Sequence, residues 1–507
     1  MLIQGEEETE DEHAERLRAE KEANMTEEEL HTIPVVGSLP LFLTRLDEEY
    51  IKSLQGTSPH SAEYVTRLRD EAQMVDLLTK LYNYCIRVES KAEASELALL
   101  RVEHLYYRHD SIAKLLDTTA TESAVLLNDL CKYVYEYGTD RSKTRAMLCH
   151  IFHHALHDRF LEARDLLLMS HLQDNISNVG DVNTMILFNR MMVTLGLCAF
   201  RLGKIWDAHQ CLSDVCSGRV RELLAQGINT GRFAGDKTAE QEKAEKRRQV
   251  PYHQHINLDL LEAAHLISAM LLEVPNMAAH GDDTGRRSRI ISRSFRKNHD
   301  IYDRQVFTGP PEQTRDFVMR ASKNLMKGEW KGCADLLVDL EVWKLLPAGS
   351  AEQVTTMLVE KIKLEGLRTY LFAFSTHYDS LSLAQLCNMF DMAKNDVHSV
   401  ISKMMINNEL HASWDQPTET IVLRKVEPSS LQLLALQYSE KAAALAESNE
   451  RLLDTKTGNY GYRDGDWKDQ RGQQGQRSSG GRGSGGRGSR GRGRGSGRGG
   501  RGSRYRR

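Results

Sequence analysis

Residues 366–374 read Gly-Leu-Arg-Thr-Tyr-Leu-Phe-Ala-Phe, residues 383–390 read Leu-Ala-Gln-Leu-Cys-Asn-Met-Phe, and residues 410–423 read Leu-His-Ala-Ser-Trp-Asp-Gln-Pro-Thr-Glu-Thr-Ile-Val-Leu. Leu367, Tyr370, Leu371 and Phe374 recur at i, i+3, i+4 and i+7. Leu383, Leu386, Cys387 and Phe390 do the same, so each segment carries one apolar stripe at helical spacing. Val397, Val400, Ile401 and Met404 make a third stripe. Ser380 and Ser382 precede the second stripe and offer side-chain oxygens to the first N–H groups of its helix. From Leu410 the period drops to two through Ala412 and Trp414, with a turn at Asp415-Gln416-Pro417 and a β-branched run, Thr420-Ile421-Val422-Leu423.

Three short helices and a two-stranded hairpin over residues 366–427 predict a winged helix. Winged helices often bind DNA through basic residues of the third helix. This segment holds the bases Arg368, Lys394, Lys403, Arg424 and Lys425 against the acids Asp379, Asp391, Asp396, Glu409, Asp415, Glu419 and Glu427, a balance of 5 − 7 = −2. Duplex binding requires several phosphates to be neutralised, which an acidic module does poorly. A protein-docking module is expected instead, with Leu386, Ile401, Trp414 and Ile421 as its interface residues.

Downstream, Pro428 opens a segment, 428–457, in which Leu431, Leu434, Tyr438, Ala442, Leu445 and Leu452 follow at helical spacing. That stripe predicts a long helix that enters a bundle with partner helices, its interface residues being Leu431, Leu434, Tyr438 and Leu445. Residues 458–507 are of low complexity and carry fourteen Arg/Lys against three Asp, a net of +11. From Gln470 no acidic residue remains and arginines stand among Gly and Ser: Arg471, Arg477, Arg482, Arg487, Arg490, Arg492, Arg494, Arg498, Arg501 and Arg504. Such a tail cannot bury a core and is expected to stay disordered. Arginine brings charge, a forked donor for phosphate and a plane that stacks on bases, so the tail is expected to bind RNA without sequence readout.

Upstream, residues 39–365 read as helices throughout. Two helical hairpins between Thr144 and Gly218 resemble each other. Leu148…Phe152…Phe160-Leu161-x-Ala163…Leu167 aligns with Val193…Leu197…Ile205-Trp206-x-Ala208…Leu212, an offset of 205 − 160 = 45 residues. Trp330-x-Gly332…Leu336 is a weaker third copy. Periods of ~34–47 residues with this pattern indicate stacked helix pairs. An ordinary helical domain is the alternative. Residues 227–248 form a polar insertion, residues 258–272 an apolar helix expected to stop near Pro275, and residues 286–297 a basic loop carrying Arg286, Arg287, Arg289, Arg293, Arg296 and Lys297. Residues 1–38 are Glu-rich and are expected to be mostly disordered.

The total charge of −4 divides into +11 for the tail and −4 − 11 = −15 for the rest. An acidic body with a basic appendage points to a protein-binding core and a nucleic-acid-seeking tail. The eight cysteines are scattered and never form C-x-x-C, which fits buried reduced thiols in a cytosolic or nuclear protein, and a cytoplasmic one is expected. No apolar run approaches the ~18 residues of a membrane span, so no membrane partner is expected. His150, His153, His154 and His157 share one helical face, but no H-E-x-x-H motif and no neighbouring Cys, Asp or Glu at ligand spacing completes a metal set. They are expected to pack between hairpins. Phosphate-binding and dinucleotide-binding glycine motifs and the nucleophile elbow are missing as well, so no catalytic site, cofactor or metal is expected.

Helical repeats leading into a winged helix and a terminal helix resemble the PCI family of scaffold subunits found in the proteasome lid, the signalosome and eukaryotic translation initiation factor 3. Three stretches bring the chain nearest to the initiation-factor branch of that family. They are Leu148-Cys-His-Ile-Phe-His-His-Ala-Leu-His157 with Arg164-Asp-Leu-Leu-Leu-Met-Ser-His-Leu-Gln-Asp-Asn-Ile176, then Arg247-Arg-Gln-Val-Pro-Tyr-His-Gln-His-Ile-Asn-Leu-Asp-Leu-Leu261, and His398-Ser-Val-Ile-Ser-Lys-Met-Met-Ile-Asn-Asn-Glu-Leu410 with Asp415-Gln-Pro417. The resemblance implies a non-catalytic scaffold that assembles with other PCI subunits on the small ribosomal subunit and helps to recruit mRNA. The members that these stretches resemble have a large acidic N-terminal region that meets other initiation factors. This chain starts just before the helical body, which implies a fragment or short form, or the absence of those contacts. Two rival readings use the same residues: a PCI subunit of a proteasome-lid or signalosome-like complex, and a free-standing RNA-binding adaptor.

Overall fold

The computed structural model describes residues 37–110, 123–179, 181–216, 219–227, 239–280, 290–306, 309–346, 349–375, 377–424 and 430–457. The acidic N-terminal segment to residue 36, Arg286, Arg287, Arg289 and every tail arginine lie outside them. The chain divides into two units, Met1–Arg424 and Lys425–Arg507.

The first unit is mostly helical. Helices α1 (Leu39–Gly56), α2 (Ala62–Arg87) and α3 (Lys91–Leu105) gather around Leu43, Met74, Leu78, Cys85, Ala94 and Leu97. Then come α4 (Ser123–Tyr137), α5 (Asp140–Leu156), α6 (Phe160–Ser170), α7 (Leu172–Val179), α8 (Val182–Arg201), α9 (Ile205–Ser213), α10 (Val220–Leu223) and α11 (Ala239–Arg248). After them stand α12 (Leu258–His280), α13 (Arg293–Asp303), α14 (Thr314–Met326), α15 (Trp330–Val338) and α16 (Ser350–Phe374). One apolar core runs through these elements from Ala98 to Ile362.

The hairpins α5–α6, α8–α9 and α14–α15 share one turn. Asp158, Gly203 and Gly328 take left-handed φ values of 59°, 73° and 85°. Their amides bond back three residues, and the amides of Arg159, Lys204 and Glu329 bond back five, to His154, Ala199 and Asn324 at 3.0, 2.9 and 2.9 Å. This is a Schellman ending, which satisfies carbonyls that the helix would otherwise orphan. Glu89 (φ 61°), with Ser90 N–H to Cys85 O at 3.2 Å, gives α2–α3 the same turn, a fourth copy that periodicity does not reveal. The second helix then starts two residues on, at Lys91, Phe160, Ile205 or Trp330, and buries its third and seventh following positions: Ala94 and Ala98, Ala163 and Leu167, Ala208 and Leu212, Cys333 and Leu337. The third copy is therefore one residue out of the register expected from the sequence, which pairs Gly332 and Leu336 with Ala208 and Leu212. That register sets Trp330 against Trp206, but Trp206 is 51% exposed and Ile205 is the packed residue. Gly196 of α8 shows how close the pairs come: a Cβ there would stand 2.6 Å from Leu212 Cδ2.

Three other expectations need correction. Pro275 does not stop α12, which runs on to His280, because burial of Leu271 and Val274 outweighs one lost backbone bond. Within the basic loop, Arg293, Arg296 and Lys297 belong to α13, and Arg296 is ion-paired with the fully buried Glu273. Helix α8 is long and apolar enough to cross a membrane, yet Met191, Val193, Leu195, Cys198 and Phe200 are buried in the core.

The three-stripe segment completes the unit. Its first helix is the C-terminal half of α16, which passes through residues 365 and 366 without a break. Strand β1 (Ser380–Ser382), α17 (Leu383–Phe390), α18 (Lys394–Ile406), β2 (Ala412–Asp415) and β3 (Thr420–Leu423) follow. The antiparallel sheet has the order β1-β3-β2, with Leu381 and Trp414 both opposite Ile421. Ser380 and Ser382 thus form a strand, and the side chain of Ser382 makes no cap bond to α17. In the second unit, α19 (Ser430–Thr457) is a single helix of 28 residues.

Candidate protein-docking surface

The small sheet and the helices around it close over a core of their own: Leu367, Leu371, Leu386, Phe390, Val397, Ile401, Met404 and Ile421. Leu386, Ile401 and Ile421 are at most 1% exposed, so three of the four expected interface residues sit in the module's own core. Trp414 is half-buried. Its ring stacks on His398 at 4.3 Å and its N–H donates to Ser402 Oγ at 3.1 Å. An apolar stripe marks a core face, which is why the stripe selects inward residues.

What faces outward is different. Tyr378, Met389, Ile406 and Val422 are exposed, Ile406 to 77%. Strands β1 and β2 are the two edges of the sheet, and an open edge is a template for another strand. The acidic balance is reinforced by pairing: Arg368 bridges Glu365 and Glu409 at 3.0 and 2.9 Å, and Lys394 pairs with Glu419. Two of the five bases counted in the sequence are thereby engaged, which leaves still less charge for phosphate.

Helix α19 presents the stripe expected of it. Leu431, Leu434, Tyr438 and Leu445 are 77%, 66%, 77% and 64% exposed, and Leu452 and Leu453 continue the row. Apolar surface left exposed adds nothing to the stability of the helix itself.

The histidine helix is more elaborate than its spacing implies. Burial is the main reason why His150 and His153 are pushed down to about 4 and about 3, so both are neutral imidazoles. His150 Nδ1 lies 3.3 Å from the Tyr135 hydroxyl, and His153 Nε2 lies 2.8 Å from Ser123 Oγ. His154 and His150 approach through their Nε2 atoms at 3.0 Å. Contrary to the expectation from sequence, a carboxylate does reach the cluster: Asp110 Oδ2 is 3.3 Å from His157 Nε2. Asp110, His153 and His157 bring one ligand atom each within 4.8 Å of one another. No local spacing could reveal Asp110, which lies five residues past the end of α3 and forty-three before His153. Burial also pushes the thiols of Cys131, Cys198, Cys216 and Cys333 up to about 12, far from nucleophilic.

Residues 3–284 match the family described as eukaryotic translation initiation factor 3 subunit 8 N-terminus, residues 340–425 the PCI domain, and residues 432–456 the family described as EIF3CL-like, C-terminal domain. The chain is 47% identical over 448 residues to the C subunit of eukaryotic translation initiation factor 3 from Xenopus tropicalis, covering 84% of this chain and 48% of that protein. The proteins of the same name from Drosophila virilis and Mycosarcoma maydis are 45% and 44% identical over 465 and 456 residues, covering 88% and 85% of this chain and 50% of each relative. The chain spans about half the length of the curated relatives it matches.

Proposed function

This chain belongs to the family of the C subunit of eukaryotic translation initiation factor 3, and on that premise we propose that it is a non-catalytic scaffold subunit of that factor, assembling on the small ribosomal subunit in the cytoplasm to form the preinitiation complex and recruit mRNA. The observation that carries the scaffold role is α19, whose exposed Leu431, Leu434, Tyr438 and Leu445 form an unburied stripe that suits a shared helical bundle. The α16–β3 segment would be a winged helix, pairing through the edge of β1 or β2 with another PCI subunit. The tail arginines would hold mRNA or rRNA by charge and stacking. Other initiation factors would be reached through the assembled complex. The family match disfavours a proteasome-lid or signalosome role, because the relatives are named for translation initiation.

Affinity purification of the tagged chain from cells tests this. Sister initiation-factor subunits and small ribosomal subunits should co-purify in near-equal amounts. Recovery of proteasome-lid or signalosome subunits instead, or of RNA with no protein partner, would overturn the proposal.

A further inference from the structure

A cavity of about 370 Å³ lies where α1, the end of α3, α8 and residues 247–254 meet. Volumes of that order hold a small molecule. Arg190 of α8 stands in its wall and is 3% exposed. A guanidinium stays charged at any pH a folded protein meets. Yet its bonded partners are neutral: one terminal nitrogen donates to the Tyr106 hydroxyl at 3.0 Å, the other to the Gln254 carbonyl at 2.8 Å. The rings of Tyr106 and Phe152 lie 6.0 and 5.9 Å away, the outer limit of a cation–π contact. Among the described residues no carboxylate pairs with it. Those sharing the wall are held elsewhere, Glu103 by Arg145 at 2.7 Å, and Asp47 and Glu71 by His104 at 3.0 and 3.1 Å. Glu48, Arg247 and Arg248 also line the cavity and are exposed, two cations to one carboxylate.

Arg190 Nε, the Tyr50 hydroxyl and His253 Nε2 are buried atoms with no hydrogen-bond partner in the protein, and all three residues line this one cavity. Water can satisfy a phenol and an imidazole, but it leaves a buried charge uncompensated. We propose that the cavity binds a small organic anion, whose carboxylate or phosphate head pairs with Arg190. Its body rests on the apolar part of the wall, which includes Ile51, Leu187 and Pro251, and its remaining polar atoms take up Tyr50 and His253. The wall is already in place for such a ligand. Gln55 donates to the Gln249 carbonyl, and the Tyr64 hydroxyl accepts from the His253 N–H at 3.2 Å, so residues 249–253 are pinned to α1 and α2. A guanidinium that has spent two donors on fixed neutral oxygens is held in one orientation, with its third nitrogen left for the ligand.

The test titrates the full chain with benzoate, phenyl phosphate, inorganic phosphate and neutral benzamide, by calorimetry and by thermal melting. At least one aromatic anion should bind saturably at one site per chain and raise the thermal midpoint with its free concentration. The tighter of benzoate and phenyl phosphate identifies the head group. Benzamide should bind about tenfold more weakly or worse, because it lacks the charge. Inorganic phosphate should fall short of phenyl phosphate by a similar factor, since it covers no apolar wall. Arg190→Met removes the charge and Ile51→Trp fills the space from the partly exposed face of α1, so each should abolish binding while keeping the circular-dichroism spectrum of the parent. No saturable binding of either aromatic anion at millimolar concentration would overturn the proposal. Parent-like affinity in both Arg190→Met and Ile51→Trp would overturn it equally, since the anion would then sit elsewhere.

Discussion

The indole N–H of Trp330 donates to the backbone carbonyl of Met389 at 2.7 Å. This bond ties the first residue of α15, in the last repeat hairpin, to α17 of the PCI segment. Lys363 lies 4.8 Å over the same indole ring and pairs with Asp391 at 2.8 Å, just past the end of α17. Trp330 packs against both the long core of the repeats and the separate core of the small sheet. Together with the unbroken α16, these contacts make the repeat body and the sheet module one rigid body rather than two domains on a hinge.

That coupling can be measured. Trp330→Phe keeps a ring and loses the N–H, which should cost at most about 1 kcal/mol because the bond is exposed to water. Trp330→Ala also removes the shared packing and should cost roughly 3 kcal/mol. In urea the Ala variant should unfold in two steps where the parent unfolds in one, as followed by circular dichroism and by the fluorescence of Trp414. A single unshifted transition in Trp330→Ala would mean that α16 alone couples the two cores.

Leu386→Asp and Ile401→Asp each place a charge where the side chain is at most 1% exposed. An unpaired buried carboxylate should cost about 3 kcal/mol or more and open the module locally. Pull-downs from cells should then lose sister subunits. Normal recovery from a variant whose module is shown to be unfolded by hydrogen exchange would remove the module from assembly.

Helix positions and the hairpin are legible in the sequence because apolar periodicity reports burial within one element. What periodicity cannot report is which element lies opposite. It places Leu386 and Ile401 on apolar faces but does not show that both faces close on one core with Phe390 and Ile421. Strand β1 escapes because Ser380-Leu381-Ser382 is too short to show a period and exists only through pairing with β3. The register of the third hairpin depends on the left-handed turn at Gly328, a backbone fact, rather than on the aromatic at Trp330. Asp110 meets His157 from 47 residues away in the chain, a contact that no local rule encodes.

Stability should peak near neutral pH, for reasons that sit on two buried histidines. Burial opposes charge on His104, but bonds to Asp47 at 3.0 Å and Glu71 at 3.1 Å prevail and push it up to about 9. A raised folded pKa means that the stabilisation is complete below about 6.5 and is lost as pH rises toward 9. Burial pushes His265 down to about 4, so its neutral form is favoured and stability falls as pH drops from 6.5 toward 4. His104→Gln should flatten the alkaline limb, removing on the order of 2 kcal/mol at pH 6 and little at pH 10. Thermal midpoints across pH 5–10 check this, and parallel profiles for parent and variant would contradict it.

Helix α19 should behave oppositely to the buried module. Leu434→Glu with Tyr438→Glu changes residues that are 66% and 77% exposed, so the melting curve of the isolated chain should stay within about 0.5 kcal/mol of the parent. Co-purified subunits should nevertheless fall several-fold, because a bundle interface cannot accept two new charges. Unchanged recovery would leave the stripe without a partner.

Deleting residues 458–507 separates the tail from assembly. It removes the twelve arginines that follow Gln470 but no residue of the described cores, so sister subunits should still co-purify. RNA affinity should not survive. If half of those arginines meet phosphates, single-strand binding should fall with salt at a log–log slope of about −0.7 × 6, or roughly −4. Truncation should flatten that slope toward zero, while replacing every tail Arg by Lys should keep most of it and lose the part of the affinity that comes from stacking. Sequence preference should be weak in all three proteins, since neither charge nor stacking discriminates well among bases. Fluorescence anisotropy with unstructured RNA at several salt concentrations gives both affinity and slope. An unchanged slope after truncation would move the RNA site onto the body. The basic stretch 286–297 is the first place to look there, with Arg296 discounted because Glu273 already neutralises it.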